Sequence, residues 1–198
     1  MSTSSAQRQK KQMKTMAFKS TPAFRSWLRR NHAKSQGILL RIFKKDSGVA
    51  TVTYAQALDQ ALCFGWIDGQ KLPGDKQSWL QKFTPRRQGS GWSKRNTEHA
   101  QRLIDSGKMT AAGLAEVKAA QADGRWKTAY DSFGNAAVPA DFLTELARNR
   151  KAQAFFKTLN KTNLYSIAYR LQTAKKPETR ERRMQTIIAM LVRGEKFH

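Results

Sequence analysis

The spacing of apolar residues changes character part-way along the chain, and that change limits the fold more than any other feature. Ile38, Leu40 and Ile42 alternate with Leu39, Arg41 and Phe43, the period-two pattern of a strand with one buried face. Later the apolar residues recur at helical spacing. Leu164, Ile167, Ala168 and Leu171 fit i, i+3, i+4, i+7, and so do Met184, Ile187, Ile188 and Leu191, each set marking one buried helix face. Strand signals gather in the first half and helix signals in the second. The expected class is α+β: a small N-terminal α-β-α-β-β unit with a β-hairpin, followed by a mostly helical C-terminal half.

Local signals place the elements. Residues 1–20 are polar and basic without an apolar stripe, so they read as a flexible arm. Thr21 as N-cap with Pro22 at the first position opens a helix, and Phe24, Trp27 and Leu28 supply its buried face. Thr53 caps a second helix with Ala57, Leu58, Ala61 and Leu62 inward. Strands near 66–72 and 78–84 flank Leu72-Pro73-Gly74-Asp75, a hairpin pattern. Helices are expected near 94–106, 111–122, 139–147, 150–158, 162–174 and 178–193, with Gly107, Gly124 and Gly194 as stops. The organisation read from this is an arm (1–20), an α+β subdomain (21–92) and a helical subdomain (93–198), the last two sharing one core.

Charge is the second constraint. Lys plus Arg number 37 against 14 Asp plus Glu in 198 residues, a formal net charge of +23. The excess is uneven: residues 148–196 hold thirteen basic residues and three acids, whereas residues 103–147 carry a net −2. Such a field attracts polyanions over a distance. The candidate partners are nucleic acid or another phosphate-bearing ligand, anionic lipid headgroups and acidic proteins, set against plain solubilising charge. The single Cys63 excludes an internal disulfide and fits a reducing compartment. No signal-peptide pattern and no run of roughly 20 apolar residues is visible, so a cytoplasmic protein without a transmembrane segment is expected.

Few residues suggest chemistry. In "FTPRRQGSGWSKRN" (83–96), Lys82 precedes Arg86, Arg87, Lys94 and Arg95, with Ser90 and Ser93 as hydroxyls and Trp92 as an aromatic surface. Arg86, Arg87, Ser90, Trp92, Ser93, Lys94 and Arg95 are the ingredients of an anion site at a helix N-terminus. The alternative is a structural loop whose arginines and Trp pin the hairpin. Asp68 reads either as a turn residue before Gly69 or as an acid that orients the arginines. Arg180 and Arg183 lie beside the apolar stripe of the last helix. They suit an internal pair with Asp123, Asp131, Asp141 or Glu145, or exposure to a phosphate. Trp126 and Tyr130 in "DGRWKTAY" read as anchors or as base-stacking rings. Cys63 sits among apolar neighbours and reads as a buried, inert thiol. His32, His99 and His198 lack metal-ligand spacing. No metal, cofactor or catalytic residue is expected.

Five strings carry a family likeness: "ALCFGWIDG" (61–69), "FTPRRQGSGWSKRN" (83–96), "GKMTAAGLAEVKAA" (107–120), "DGRWKTAY" (123–130) and "LQTAKKPETRERR" (171–183). In order and spacing they resemble the signature blocks of the YdeI/OmpD-associated family over roughly residues 20–198. The resemblance implies a link to protection against bacteriocins or cationic antimicrobial peptides, and to an outer-membrane porin. It supplies no catalytic or binding residues to carry over. Three functions stay open: a noncatalytic anion-binding stress or bacteriocin-protection protein, a sequence-tolerant nucleic-acid binder, and an enzyme acting on a small phosphorylated or carboxylated metabolite.

Overall fold

The computed structural model describes residues 13–198. It is α+β, with a four-stranded mixed sheet in the first half and helices dominating the second. The expected arm divides: residues 1–12 lie outside the described residues, and Thr15–Ala17 is a strand, β1. Its register with Leu39–Arg41 explains why hydropathy missed it, since a three-residue edge strand needs no apolar stripe of its own. The elements that follow are α1 (Thr21–Asn31), β2 (Ile38–Phe43), α2 (Tyr54–Cys63), β3 (Trp66–Pro73), β4 (Ser78–Pro85), α3 (Lys94–Asp105), α4 (Ala111–Ala122), α5 (Ala140–Ala147), α6 (Arg150–Phe156), α7 (Lys161–Gln172) and α8 (Pro177–Val192).

The chain forms two compact units. The first comprises residues up to Ser90 together with His99–Ala119, and the second comprises Gly91–Glu98 with Ala120–His198. One cut follows Ser90, two residues before the boundary read from the sequence, and the other two fall inside α3 and α4.

In the first unit the strand order is β1-β2-β4-β3, with β1 parallel to β2 and the other pairings antiparallel. Ile38, Leu40 and Ile42 point to the buried face, as their alternation requires. Phe24 and Leu28 of α1 and Ala57, Leu58 and Ala61 of α2 are buried with them. Ser20, not Thr21, accepts the capping bond, from the Ala23 amide. Thr53 and Gln56 form a reciprocal capping box at α2. Rings bind the helices to the sheet: Phe24 lies 6.0 Å from Phe83 and Trp27 meets Trp66 edge-on at 5.8 Å. A register shift in β3 between Asp68 and Lys71 leaves the Gly69 carbonyl to the buried Gln81 amide, which donates to it at 2.8 Å.

One contact inside this unit is unusually close. The Thr110 amide and hydroxyl both donate to the Cys63 carbonyl, at 3.1 and 2.5 Å, so the start of α4 caps the end of α2. A Cβ at Gly113 would fall 2.5 Å from that same carbonyl and 2.7 Å from that of Leu62. Only glycine allows the two helices to approach this far.

The second unit is helical. Phe142, Leu146, Ala152, Ile167, Leu171, Met184, Ile187 and Leu191 form its core, so both helical stripes read from the sequence face inward. Gly194 ends α8 with φ 73°, the left-handed stop expected there. The fully buried Asn163 holds the segment that follows: its Oδ1 accepts from the amides of Phe197 and His198 at 2.9 and 3.1 Å. Among the described residues no helix is long and apolar enough to cross a membrane.

Candidate functional site

The residues expected to form an anion site divide between the units, so each group is described where it sits. In the first unit Arg86 is buried, and its backbone amide donates to the Gly65 carbonyl at 2.9 Å. Arg87 is exposed, and its carbonyl accepts the Ser90 amide in a turn. Asp68 accepts the Tyr54 hydroxyl at 2.7 Å. That contact fixes the carboxylate to α2, where the sequence had suggested an arginine as partner.

In the second unit Trp92 is buried against Trp126, with centroids 5.0 Å apart. Both rings act as anchors. Ser93 caps α3 through its hydroxyl, which accepts the Asn96 amide at 3.2 Å. Segment 92–94 pairs in parallel with Tyr130: the Tyr130 amide donates to the Trp92 carbonyl, and the Lys94 amide donates to the Tyr130 carbonyl. Lys94 Nζ reaches Asp131 at 2.7 Å. The hydrogen bond from Lys94 holds the Asp131 carboxyl below the usual carboxylate range, with Gln172 adding to it. Arg95 is exposed.

The α8 arginines turn inward. Arg180 grips Asp141 with both terminal nitrogens, the second contact being 2.9 Å, one of the internal pairings its spacing suggested. The Arg180 hydrogen bond holds the Asp141 carboxyl low. Arg183 donates to the Arg170 carbonyl at 2.7 Å, so it caps the end of α7 instead of pairing with a carboxylate.

Two of the quoted strings meet around one cleft of about 430 Å³ in this unit. Arg125, Thr128 and Tyr130 come from "DGRWKTAY", and Gln172, Thr173 and Lys175 come from "LQTAKKPETRERR". Arg125 is buried, with Nε 2.7 and 2.8 Å from the two Asp123 oxygens. Tyr130 meets Tyr169 of α7 edge-on at 4.9 Å. Gln172 and Asp131 exchange two hydrogen bonds, side chain to side chain at 2.9 Å and Asp131 amide to Gln172 Oε1 at 3.1 Å. The cleft thus has fixed walls, mixed charge and aromatic lining. No direct sign of the cleft is visible in the sequence. Lys161, Tyr165 and Tyr169 follow at spacing of four, to one side of the apolar stripe of α7, and only Tyr169 of these lines it.

The best-organised titratable cluster lies in the first unit. His99 Nδ1 is 2.8 Å from Asp59 Oδ1, and Arg102 Nη2 reaches both Asp59 oxygens at 2.7 and 2.8 Å. Burial works to raise the Asp59 carboxyl, but the hydrogen bonds from Arg102 and His99 outweigh it and the net shift is downward. The geometry would orient an imidazole. Cys63, the nucleophile type nearest in sequence, is buried, and burial pushes its thiol up despite Arg25. Among the described residues no group of three or more His, Cys, Asp and Glu is placed to hold a metal ion.

Residues 16–116, about half the chain, match a domain of unknown function (DUF8412), and residues 135–194 match the family described as bacteriocin-protection, YdeI or OmpD-associated. The chain belongs to the domain family of unknown function, and its residues 135–194 carry a YdeI/OmpD-associated domain. The likeness read from the sequence is thus confined to part of its expected span. "LQTAKKPETRERR" falls within the YdeI/OmpD-associated match, "ALCFGWIDG" and "FTPRRQGSGWSKRN" fall within the other, and "DGRWKTAY" lies between the two. No curated protein and no solved structure matches the chain.

Proposed function

We propose that this protein is a noncatalytic polyanion binder whose contact surface lies on its helical unit. The observation that supports this reading is where the cations of residues 148–196 stand. Of the thirteen, only Arg180 and Arg183 are partly covered, and the other eleven are exposed. Arg148 and Arg193 have acidic partners, Glu145 and Glu195. Lys151, Lys157, Lys161, Lys175, Lys176 and Arg182 stand on the same unit without a salt bridge to either. Lys94 and Arg95 add exposed cations to it, and Arg87 takes the same role on the α+β unit. Charge held at a surface against its own repulsion favours an anionic partner.

Within a domain described as bacteriocin-protection, such a surface acts on anionic partners and not by capturing cationic peptides, which it repels. An enzymatic role has weaker support, because Cys63 is buried and its thiol is pushed up, away from the activated form a nucleophile needs. The test is binding of a labelled DNA duplex and a labelled single strand across a range of salt. A log affinity that falls linearly with log salt, with a slope of about −0.7 per single-strand phosphate contact, supports the reading. No binding at low salt would refute it.

A further inference from the structure

Four aromatic rings of the helical unit stand in a row outside its core. Phe133 meets Tyr165 edge-on at 5.2 Å between centroids, Tyr165 lies 5.9 Å from Tyr169, and Tyr169 meets Tyr130 at 4.9 Å. Two of them are open to solvent: Phe133 is 46% exposed and Tyr169 39%. Tyr165, half-buried between these two, holds the row together. Burial and the neighbouring Tyr169 push its hydroxyl up, so it stays neutral at any physiological pH.

Cations flank the row. Lys161 Nζ sits 6.0 Å from the Phe133 centroid at one end. Lys175 lines the cleft with Tyr130 and Tyr169 at the other. Arg170, next to Tyr169 in sequence, holds its guanidinium 4.4 Å from the Phe197 centroid instead. Rings interleaved with cations along one surface are what a strand with unpaired bases requires: its phosphates meet the cations and its bases lie on the rings.

We infer that this row, Phe133–Tyr165–Tyr169–Tyr130, is a stacking platform for single-stranded nucleic acid. The inference rests on the polyanion reading and names its polymer and its surface. A base-free polyanion would use the cations and leave the rings idle. A duplex keeps its bases stacked inside and offers the rings no face. A cationic peptide could meet the rings through cation–π contacts, but the unit's charge repels it.

The experiment compares three probes on the full chain by fluorescence anisotropy: a thymidine strand of about twelve nucleotides, an abasic strand of the same length, and polyphosphate. The thymidine strand is expected to bind at least about tenfold more tightly than the abasic one. Phe133→Ala and Tyr169→Ala should each remove roughly five- to hundredfold of thymidine-strand affinity and leave abasic binding unchanged. Tyr169→Phe should keep it, since the ring remains. Phe133→Leu, which keeps an apolar side chain but no ring, should fail as Phe133→Ala does. Equal affinity for thymidine and abasic strands would overturn the platform and leave the polyanion reading standing. Tighter binding of a duplex, or displacement of the strand by oligo-arginine seated on the rings, would overturn the platform as well. If none of the three probes binds, both readings fall.

Discussion

Phe24 and Phe83 are fully buried and Trp66 is 1% exposed in the α+β unit, whereas Phe133 and Tyr169 of the helical unit stand at 46% and 39%. Both units place aromatic rings within stacking distance of one another, yet in one the rings join helices to a sheet and in the other they line a surface. Cations do not differ in this way, since each unit holds both tied-down and exposed ones. In the α+β unit several are tied down: Arg41 to Asp75, Arg102 to Asp59, and Arg25 to Gln60 and the Lys108 carbonyl. In the helical unit Arg180 and Arg183 are tied down and most others are not. Ring and cation are common to both units. What sets the helical unit apart is that some of its rings reach solvent, and the proposed platform stands on those rings.

The largest test of that contrast is a core truncation. Phe83→Ala should cost about 3–5 kcal/mol in denaturant unfolding and leave the strand affinity of the folded fraction unchanged. Next in size, Gly113→Ala places a methyl group against the Cys63 and Leu62 carbonyls and should cost about 1–3 kcal/mol, read as a lower thermal midpoint. Phe133→Ala inverts the pattern: unfolding should shift by less than about 0.5 kcal/mol, as for exposed positions generally, while strand binding weakens. Arg180→Ala breaks a partly exposed pair with Asp141 and should cost no more than about 1 kcal/mol.

The smallest expected effect is a pH dependence. Asp59 and Asp141 have folded-state carboxyls held below their ordinary value. Each contributes stability that is present above roughly pH 4 and is lost as pH falls through the lowered value. Asp59→Asn should flatten that acid limb in unfolding curves taken between about pH 5 and pH 2.

Much of the fold was legible because period-two and helical spacing are local properties. The alternation at 38–43, the stripes at 164–171 and 184–191, and the stop at Gly194 all stand where the residues place them. The boundaries were less so. Thr15–Ala17 joins the sheet through its backbone, which side-chain pattern does not report. The units divide within α3 and α4 because the Thr110 contact with Cys63, and the pairing of 92–94 with Tyr130, are both long-range. The site was the least legible. Arg86 and Trp92 read either as anion ligands or as pins of a structural loop, and both are buried. Arg180 found one of its suggested acids, while Arg183 found a carbonyl that no charge count reveals. The aromatic row left only the fourfold spacing of Lys161, Tyr165 and Tyr169, and its neighbours Phe133 and Tyr130 come from a different segment.

Backbone hydrogen exchange of the full chain, with and without a saturating thymidine strand, tests the division between the units most directly. Slowed exchange is expected around residues 130–133 and along α7 from Lys161 to Gln172, with the sheet amides of Ile38–Phe43 and Ser78–Pro85 unchanged. Protection confined to the sheet, or none in the helical unit while the strand is bound, would contradict it.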